Sequence, residues 1–280
     1  MIAGASADRV RDHPPRSAAA ANTNRAVPLV SEQPLSPAGA LRVGCSGYEY
    51  EHWRAALYPE GLAKARWLER YASLFDTVEI NRTFYRLPSA RTFDAWRARV
   101  PSDFVFALKL SRYGSHFKHL KDPEAWLPIF VERAERLGPQ LGPVLVQLPP
   151  HWDADPARLE RFLNVAAGAH RWAVEVRDRR WLCDAVFDVL RRHDAALCLH
   201  DLLAHHPEVV TASWVYRRFH GPTTGAPYAG SYSPQALSGA ARRIRAHLDA
   251  GRDVFAYFNN DADGHAVRNA QMLKRYLARG

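Results

Sequence analysis

Polar residues recur at the ends of otherwise apolar runs in this chain: Glu79 and Asn81, Lys109, Gln147, Glu175 and Arg177, His200 and Asp201, Arg218 and His220, Asn259 and Asp261. Side chains alternate along a strand, so Glu79 shares a face with Asn81, Glu175 with Arg177, Arg218 with His220, and Asn259 with Asp261. Gathered around one opening, such groups suit acid–base chemistry. Two carboxyl groups in differently charged surroundings acquire separated pKa values, one serving as acid and the other as base. Glu79 and Glu175 are the expected pair, with Arg177 keeping Glu175 ionised. Lys109 and Arg218 are expected to hold a carboxylate or phosphate of the ligand, and His220 to move protons near neutrality. For any single residue a structural network filling the top of a barrel is the simpler account. For the whole set, burying so many ionisable groups without use would be costly, which favours a functional site.

The same donors admit other chemistries. Glu79, Glu175, Asp201 and His220 carry oxygen and nitrogen ligands that suit Mg, Mn or Zn, the pattern of a metal-dependent hydrolase or isomerase of the xylose-isomerase-like barrel type. No HxH or HExxH spacing supports that alternative, and a lysine with two arginines already supplies positive charge where a cation would sit. No cofactor is therefore expected, a divalent metal being the secondary case. Cys45 ends the first apolar run as a conceivable nucleophile, although a small buried thiol is the commoner fate. Lys109 would form a Schiff base only if its pKa were strongly depressed.

What positions these residues is a regular alternation. From Leu41 onward short β-rich runs alternate with segments of helical period, the pattern of repeated β-α units and a parallel sheet. Eight strands are expected: Leu41–Ser46, Thr77–Asn81, Phe104–Leu110, Val144–Leu148, Trp172–Arg177, Ala196–His200, Trp214–His220 and Val254–Asn259. LRVGCS, PVLVQL, ALCLH and DVFAYF are nearly continuous apolar runs, as strands covered on both faces require. Asp155-Pro156 and Ser233-Pro234 each read as an N-cap followed by proline in the first turn, while Gly138 and Gly251 fall where helices should stop. Leu159, Phe162, Leu163 and Ala166 recur at helical spacing, as do Leu237, Ala240, Ala241, Ile244 and Leu248. The connection from His200 to Trp214 is polar and carries Pro207, so a sixth outer helix should be short or missing. The expected architecture is α/β, a (β/α)8 TIM-type barrel with one mouth at the carboxyl ends of its strands.

Residues 1–40 are rich in Ala, Pro, Ser, Asn and Arg and lack a sustained apolar period, so a disordered extension is expected before a single barrel domain at 41–280. Hydrophobic residues make up 47% of the 280, enough for a large core. Cys45, Cys183 and Cys198 are far apart and without metal-site spacing, and no long apolar stretch or secretory signal is present; the expected location is cytoplasmic, with no membrane partner. The net charge of +9 favours an anionic partner. Arg97, Arg99, Arg191, Arg192, Arg242 and Arg243 fall on expected outer helices, where a solvated face is the simpler account. Non-catalytic binding of single-stranded nucleic acid, with Tyr48, Trp53, Tyr85 and Trp181 as exposed stacking surfaces, is the lesser alternative to a small polar or anionic molecule. The loop Gly221–Gly230 and the Asn260–Gly264 turn follow the last two strands, where barrels often bind phosphate.

Several blocks together carry a resemblance: GCSGYEYEHW (44–53), YP (58–59), FDTVEINRTFYRLP (75–88), FVFALKL (104–110), LGPVLVQLPP (141–150), AVEVRDRRW (173–181), YRRFHG (216–221) and YFNND (257–261). On these blocks the chain resembles the YecE-like family, also called domain of unknown function 72, over nearly its whole length from Leu41. The resemblance implies a TIM barrel with a polar pocket at its top and no established reaction. Position by position it covers Glu79, Asn81, Tyr85, Lys109, His116, Gln147, Glu175, Arg177, Trp181, Arg218, His220, Asn259, Asn260 and Asp261. The chain departs from the family pattern at Tyr48, where tryptophan is usual, and carries Cys45 after Gly44. The expectation is an enzyme with catalytic Glu79, Lys109, Glu175 and His220, acting on a sugar, sugar phosphate or nucleotide-like ligand held by the remaining polar residues and Asp201.

Overall fold

The computed structural model describes residues 38–54, 56–168, 170–222 and 228–279. The extension expected at 1–40 lies outside them except for its last residues, where the Gly39 and Ala40 amides already donate to Leu248 O and Asp253 at 3.0 and 2.8 Å. The strands are β1 (Leu41–Cys45), β2 (Thr77–Ile80), β3 (Val105–Lys109), β4 (Leu141–Gln147), β5 (Trp172–Glu175), β6 (Ala196–Leu197), β7 (Leu199–His200), β8 (Val215–Phe219) and β9 (Val254–Phe258). Each of the eight expected segments forms strand, within a few residues of its expected ends.

All pairings are parallel, in two sheets of order β2-β3-β4-β5-β6 and β1-β9-β8-β7. The expected sixth strand is divided at Cys198: β6 pairs with β5, β7 with β8. At the other seam a single bridge joins Ser46 to Glu79. Neither sheet closes, so the hydrogen bonding differs from the single ring expected; one segment changes partner in mid-course, and two strands touch at one bridge. Gly44 lies at that second seam because a Cβ there would stand 2.3 Å from Thr77 O.

The helices are α1 (Trp67–Ala72), α2 (Arg82–Tyr85), α3 (Ala90–Arg97), α4 (Pro123–Ala134), α5 (Pro156–Val165), α6 (Asp184–Arg192), α7 (Pro234–Asp249) and α8 (His265–Ala278). Asp155 and Ser233 cap α5 and α7, accepting from the amides of Arg158 and Ala236 at 3.0 and 3.2 Å. The apolar stripes of both helices are buried as their spacing requires, with Leu248 at the end of the second only half-buried. No helix lies between β7 and β8. Among the described residues no helix is long and apolar enough to cross a membrane.

Two apolar clusters result. The larger lies between strands and helices. The smaller takes Ala107, Leu145, Ala173 and Ala196 from the five-stranded sheet and Tyr216, Phe255 and Tyr257 from the other, with Cys198 and Trp214. Alanine on one side makes room for the large rings on the other. Two residues further along the same strands, and so on the same face, stand Lys109, Gln147, Glu175 and Arg218. The inner cluster is thus the floor on which the polar groups sit.

Candidate functional site

Arg218 occupies the centre. One terminal nitrogen donates to Glu79 Oε1 at 2.8 Å and the other to Glu175 Oε2 at 2.5 Å, and all three side chains are wholly buried. Tyr216, two residues before Arg218, donates its hydroxyl to Glu79 Oε2 at 2.6 Å. Gln147 donates to Glu175 Oε1 at 2.8 Å, and Arg177 Nε reaches the same oxygen. Burial alone would raise the pKa of Glu175, but Arg218 and Arg177 hold it well below the usual carboxylate range. Alternation along the strands had joined Glu175 with Arg177 and Arg218 with His220, and both pairs are in contact.

Arg218 is not the ligand clamp expected of it, because no part of its side chain meets solvent and its terminal nitrogens already serve the two glutamates. Among the described residues no group of three or more His, Cys, Asp or Glu is arranged to hold an ion. A guanidinium thus lies between Glu79 and Glu175, two of the four residues considered as metal ligands.

Lys109 stands differently. It is 8% exposed, has no ion-pair partner among the described residues, and places Nζ 4.1 Å from the centre of the Phe84 ring. Burial, reinforced by the positive charge of Arg218, pushes its pKa down to about 7. His116 packs edge-on against the same ring at 4.9 Å and bonds to Ser115 Oγ through Nδ1 at 2.9 Å. Partial burial and then Lys109 lower its pKa to about 4. Arg177, 17% exposed in its side chain, reaches Tyr228 OH at 3.2 Å. Around the buried network, Lys109, Arg177, His116 and Gln147 each keep an edge open to solvent.

A second branch runs from His220. Its Nε2 faces Arg218 at 3.1 Å, and since a guanidinium only donates, Nε2 is the unprotonated nitrogen. Nδ1 then carries the proton, 3.3 Å from Asp201 Oδ1. Burial lowers the pKa of His220, in agreement with this neutral form. Asp201 also accepts from the His220 amide at 2.9 Å and from the Tyr232 hydroxyl. His200 is fixed as well, with Nε2 2.9 Å from Val176 O and Nδ1 accepting from the Leu202 amide at 3.3 Å.

Other expected residues lie elsewhere. Asn81 donates to Ser46 O at 3.2 Å and lines a separate cavity of about 130 Å³ with Tyr48, Tyr50 and Trp96. Asn260 is buried and donates to Gly230 O and Asn269 Oδ1 at 2.8 and 2.9 Å. Asp261 receives His52 and Trp53 on its backbone carbonyl at 2.8 and 2.9 Å. Asn259 has its amide on Phe219 O at 2.7 Å. Residues 223–227 of the glycine loop expected to bind phosphate lie outside the described residues.

Two further expectations are corrected. Cys45 is fully buried and its thiol pKa is raised by that burial, which removes it as a nucleophile. Of the four aromatic residues taken as exposed, Tyr48, Trp53 and Trp181 are buried in the core, and only Tyr85 is open. Large rings pack wherever apolar surface surrounds them, which the chain order does not show. The residues missed were Tyr216, Tyr232 and Phe84. Tyr216 was within reach of the same alternation that found Arg218; the other two contact the site only through tertiary folding.

A parallel α/β protein with a buried Glu-Arg-Glu network at the carboxyl ends of its strands is the class these observations define. Residues 42–280 match the family model described as "Protein of unknown function DUF72", and the chain belongs to that family. The UPF0759 protein YecE of Escherichia coli K12 is 33% identical over 111 residues, 39% of this chain and 41% of that protein. The chain thus matches less than half the length of that relative. The UPF0759 protein YunF of Bacillus subtilis is 24% identical over 254 residues, 79% of this chain and 90% of that protein. Among solved structures, a DUF72 family protein from Thermotoga maritima superposes with TM-score 0.77 at 27% identity, covering 85% of this chain and 99% of that one. A DUF72 family protein from Enterococcus faecalis gives TM-score 0.72 at 20% identity, covering 85% and 95%.

Proposed function

We propose that the two sheets are halves of one (β/α)8-type barrel and that its mouth is the site of an enzyme acting on a small anionic molecule by proton transfer. Support for the barrel is the inner apolar cluster, which draws residues from both sheets and so requires them to face each other.

The observation that carries the functional reading is the charge balance around Lys109. Glu79 and Glu175 meet the guanidinium groups of Arg218 and Arg177. Lys109 is the group left over, buried and without a carboxylate of its own. A buried cation without a partner is unfavourable, and an anionic ligand supplies what is missing. Arg177 and Lys109 flank the opening and hold the anion, while the Glu79–Arg218–Glu175 tier beneath fixes their positions. A lysine whose pKa is about 7 exchanges protons readily at neutral pH, which makes Lys109 the acid–base group of this reading.

Thermal-shift measurements with inorganic phosphate, small carboxylates and sugar phosphates test it. At least one anion should raise Tm in the wild type, with the shift lost in Lys109→Ala and in Arg177→Ala. Binding should weaken above pH 7 as Lys109 loses its proton. An anion shift that survives in both folded variants, or no shift with any of these anions, would sink the proposal.

A further inference from the structure

We propose that Lys109 is a nucleophilic amine that condenses with the carbonyl carbon of a small anionic aldehyde or ketone. This rests on the anion-holding reading of the same site and names its substrate class.

The chain has five lysines, Lys64, Lys109, Lys118, Lys121 and Lys274, and Lys109 alone is buried. It ends β3 and places its amine over the Phe84 ring, within the electrostatic reach of Arg218, Glu175, Glu79 and Arg177. The groups that face it are Arg218 and Arg177, which oppose its protonation, Glu175 and Glu79, which favour it, and the neutral His116 beside the same Phe84 ring. Desolvation outweighs the carboxylates because these are already bound to arginine. About half of the amine is therefore unprotonated at neutral pH, against roughly one part in a few thousand for an ordinary lysine. A slightly open edge lets a small molecule reach it, and the apolar ring keeps bulk water from re-solvating the ammonium form.

The step balances without an oxidant or reductant. The Nζ lone pair forms a C–N bond to the carbonyl carbon while the π pair moves to oxygen, which takes the proton that nitrogen gives up. The resulting carbinolamine accepts one proton from solvent on its hydroxyl and expels water. A protonated imine remains, with its positive charge conjugated to the former carbonyl carbon. An α C–H bond then becomes acidic, the chemistry that an imine supplies to aldol-type cleavage, isomerisation or decarboxylation.

Glycolaldehyde phosphate with sodium cyanoborohydride provides the test, since reduction fixes any imine as a secondary amine that peptide mass spectrometry can assign. At pH 7 Lys109 should be modified at least about tenfold faster than Lys64, Lys118, Lys121 and Lys274, and its rate should level off above pH 7 while theirs keep rising toward pH 10. Lys109→Arg should abolish that adduct and leave the others unchanged. Labelling confined to the exposed lysines, or a Lys109 rate that climbs with theirs, would overturn the inference. A parallel reaction with unphosphorylated glycolaldehyde separates the two proposals. Equal rates at Lys109 with both aldehydes would keep the imine and remove the anion-holding role. A phosphate-induced Tm shift that needs Arg177 and Lys109, with no adduct at Lys109, would keep the anion site and remove the imine.

Discussion

Arg218 and Glu175, 43 residues apart in sequence, meet at 2.5 Å with neither side chain reaching solvent. The same guanidinium holds Glu79 on its other terminal nitrogen. Removing the cation leaves two buried carboxyl groups without compensation, whereas removing a hydroxyl from the periphery leaves the ion pairs intact.

Arg218→Met should therefore destabilise the fold by about 3–5 kcal/mol, and Tyr216→Phe by only about 1–2 kcal/mol. Chemical denaturation of the two variants beside the wild type measures the difference. Similar losses in both would mean that Arg218 is not the group compensating the glutamates.

Lys109 predicts an opposite effect. Its pKa falls from 10.5 in the unfolded chain to about 7, so between those values the unfolded state binds more protons and stability rises with pH. Below pH 7 the penalty on the folded state is complete. Lys109→Met should hence stabilise the protein by roughly 4 kcal/mol at pH 7, the gain shrinking to about 1 kcal/mol or less by pH 10. A stabilising substitution at a binding residue is what a site held under electrostatic strain produces. Urea midpoints at the two pH values decide it; a destabilised variant at pH 7 would contradict the buried, unpartnered ammonium.

Acid should unfold the protein in two stages. Burial lowers His200 from 6.5 to about 3, so the unfolded chain takes up its proton first and stability is lost as pH falls from about 6.5 toward 3. The loss is on the order of 4 kcal/mol. Glu175, held low by Arg218 and Arg177 against the effect of burial, adds its own loss once pH drops below about 4.3. Stability measured from pH 7.5 to 4 should slope downward, and His200→Asn should flatten the upper part of that slope. A flat wild-type profile from 6.5 to 4.5 would show His200 to be open to protons in the folded state.

Gly44→Ala tests the seam between the sheets. Its new Cβ would lie 2.3 Å from Thr77 O, so β1 and β2 must separate. The expected cost is about 2 kcal/mol or more, with faster amide exchange at Glu79, the β2 side of the bridge. Hydrogen exchange unchanged at that bridge would mean that the close approach does not hold the seam.

Much of this protein was legible in the chain itself. A strand has period two whatever surrounds it, so the sequence alone could pair Glu175 with Arg177 and Arg218 with His220, and helix caps such as Asp155 and Ser233 act within four residues. The β-α alternation likewise named every strand segment. Partner exchange at Cys198 was hidden, because it depends on which neighbours a strand meets on each side. So were the burial of Cys45, Trp53 and Trp181, the enclosure of Arg218 between two glutamates, and the isolation of Lys109. Desolvation and ion pairing depend on groups brought from distant parts of the chain, and only folding decides which charge is answered and which is left alone.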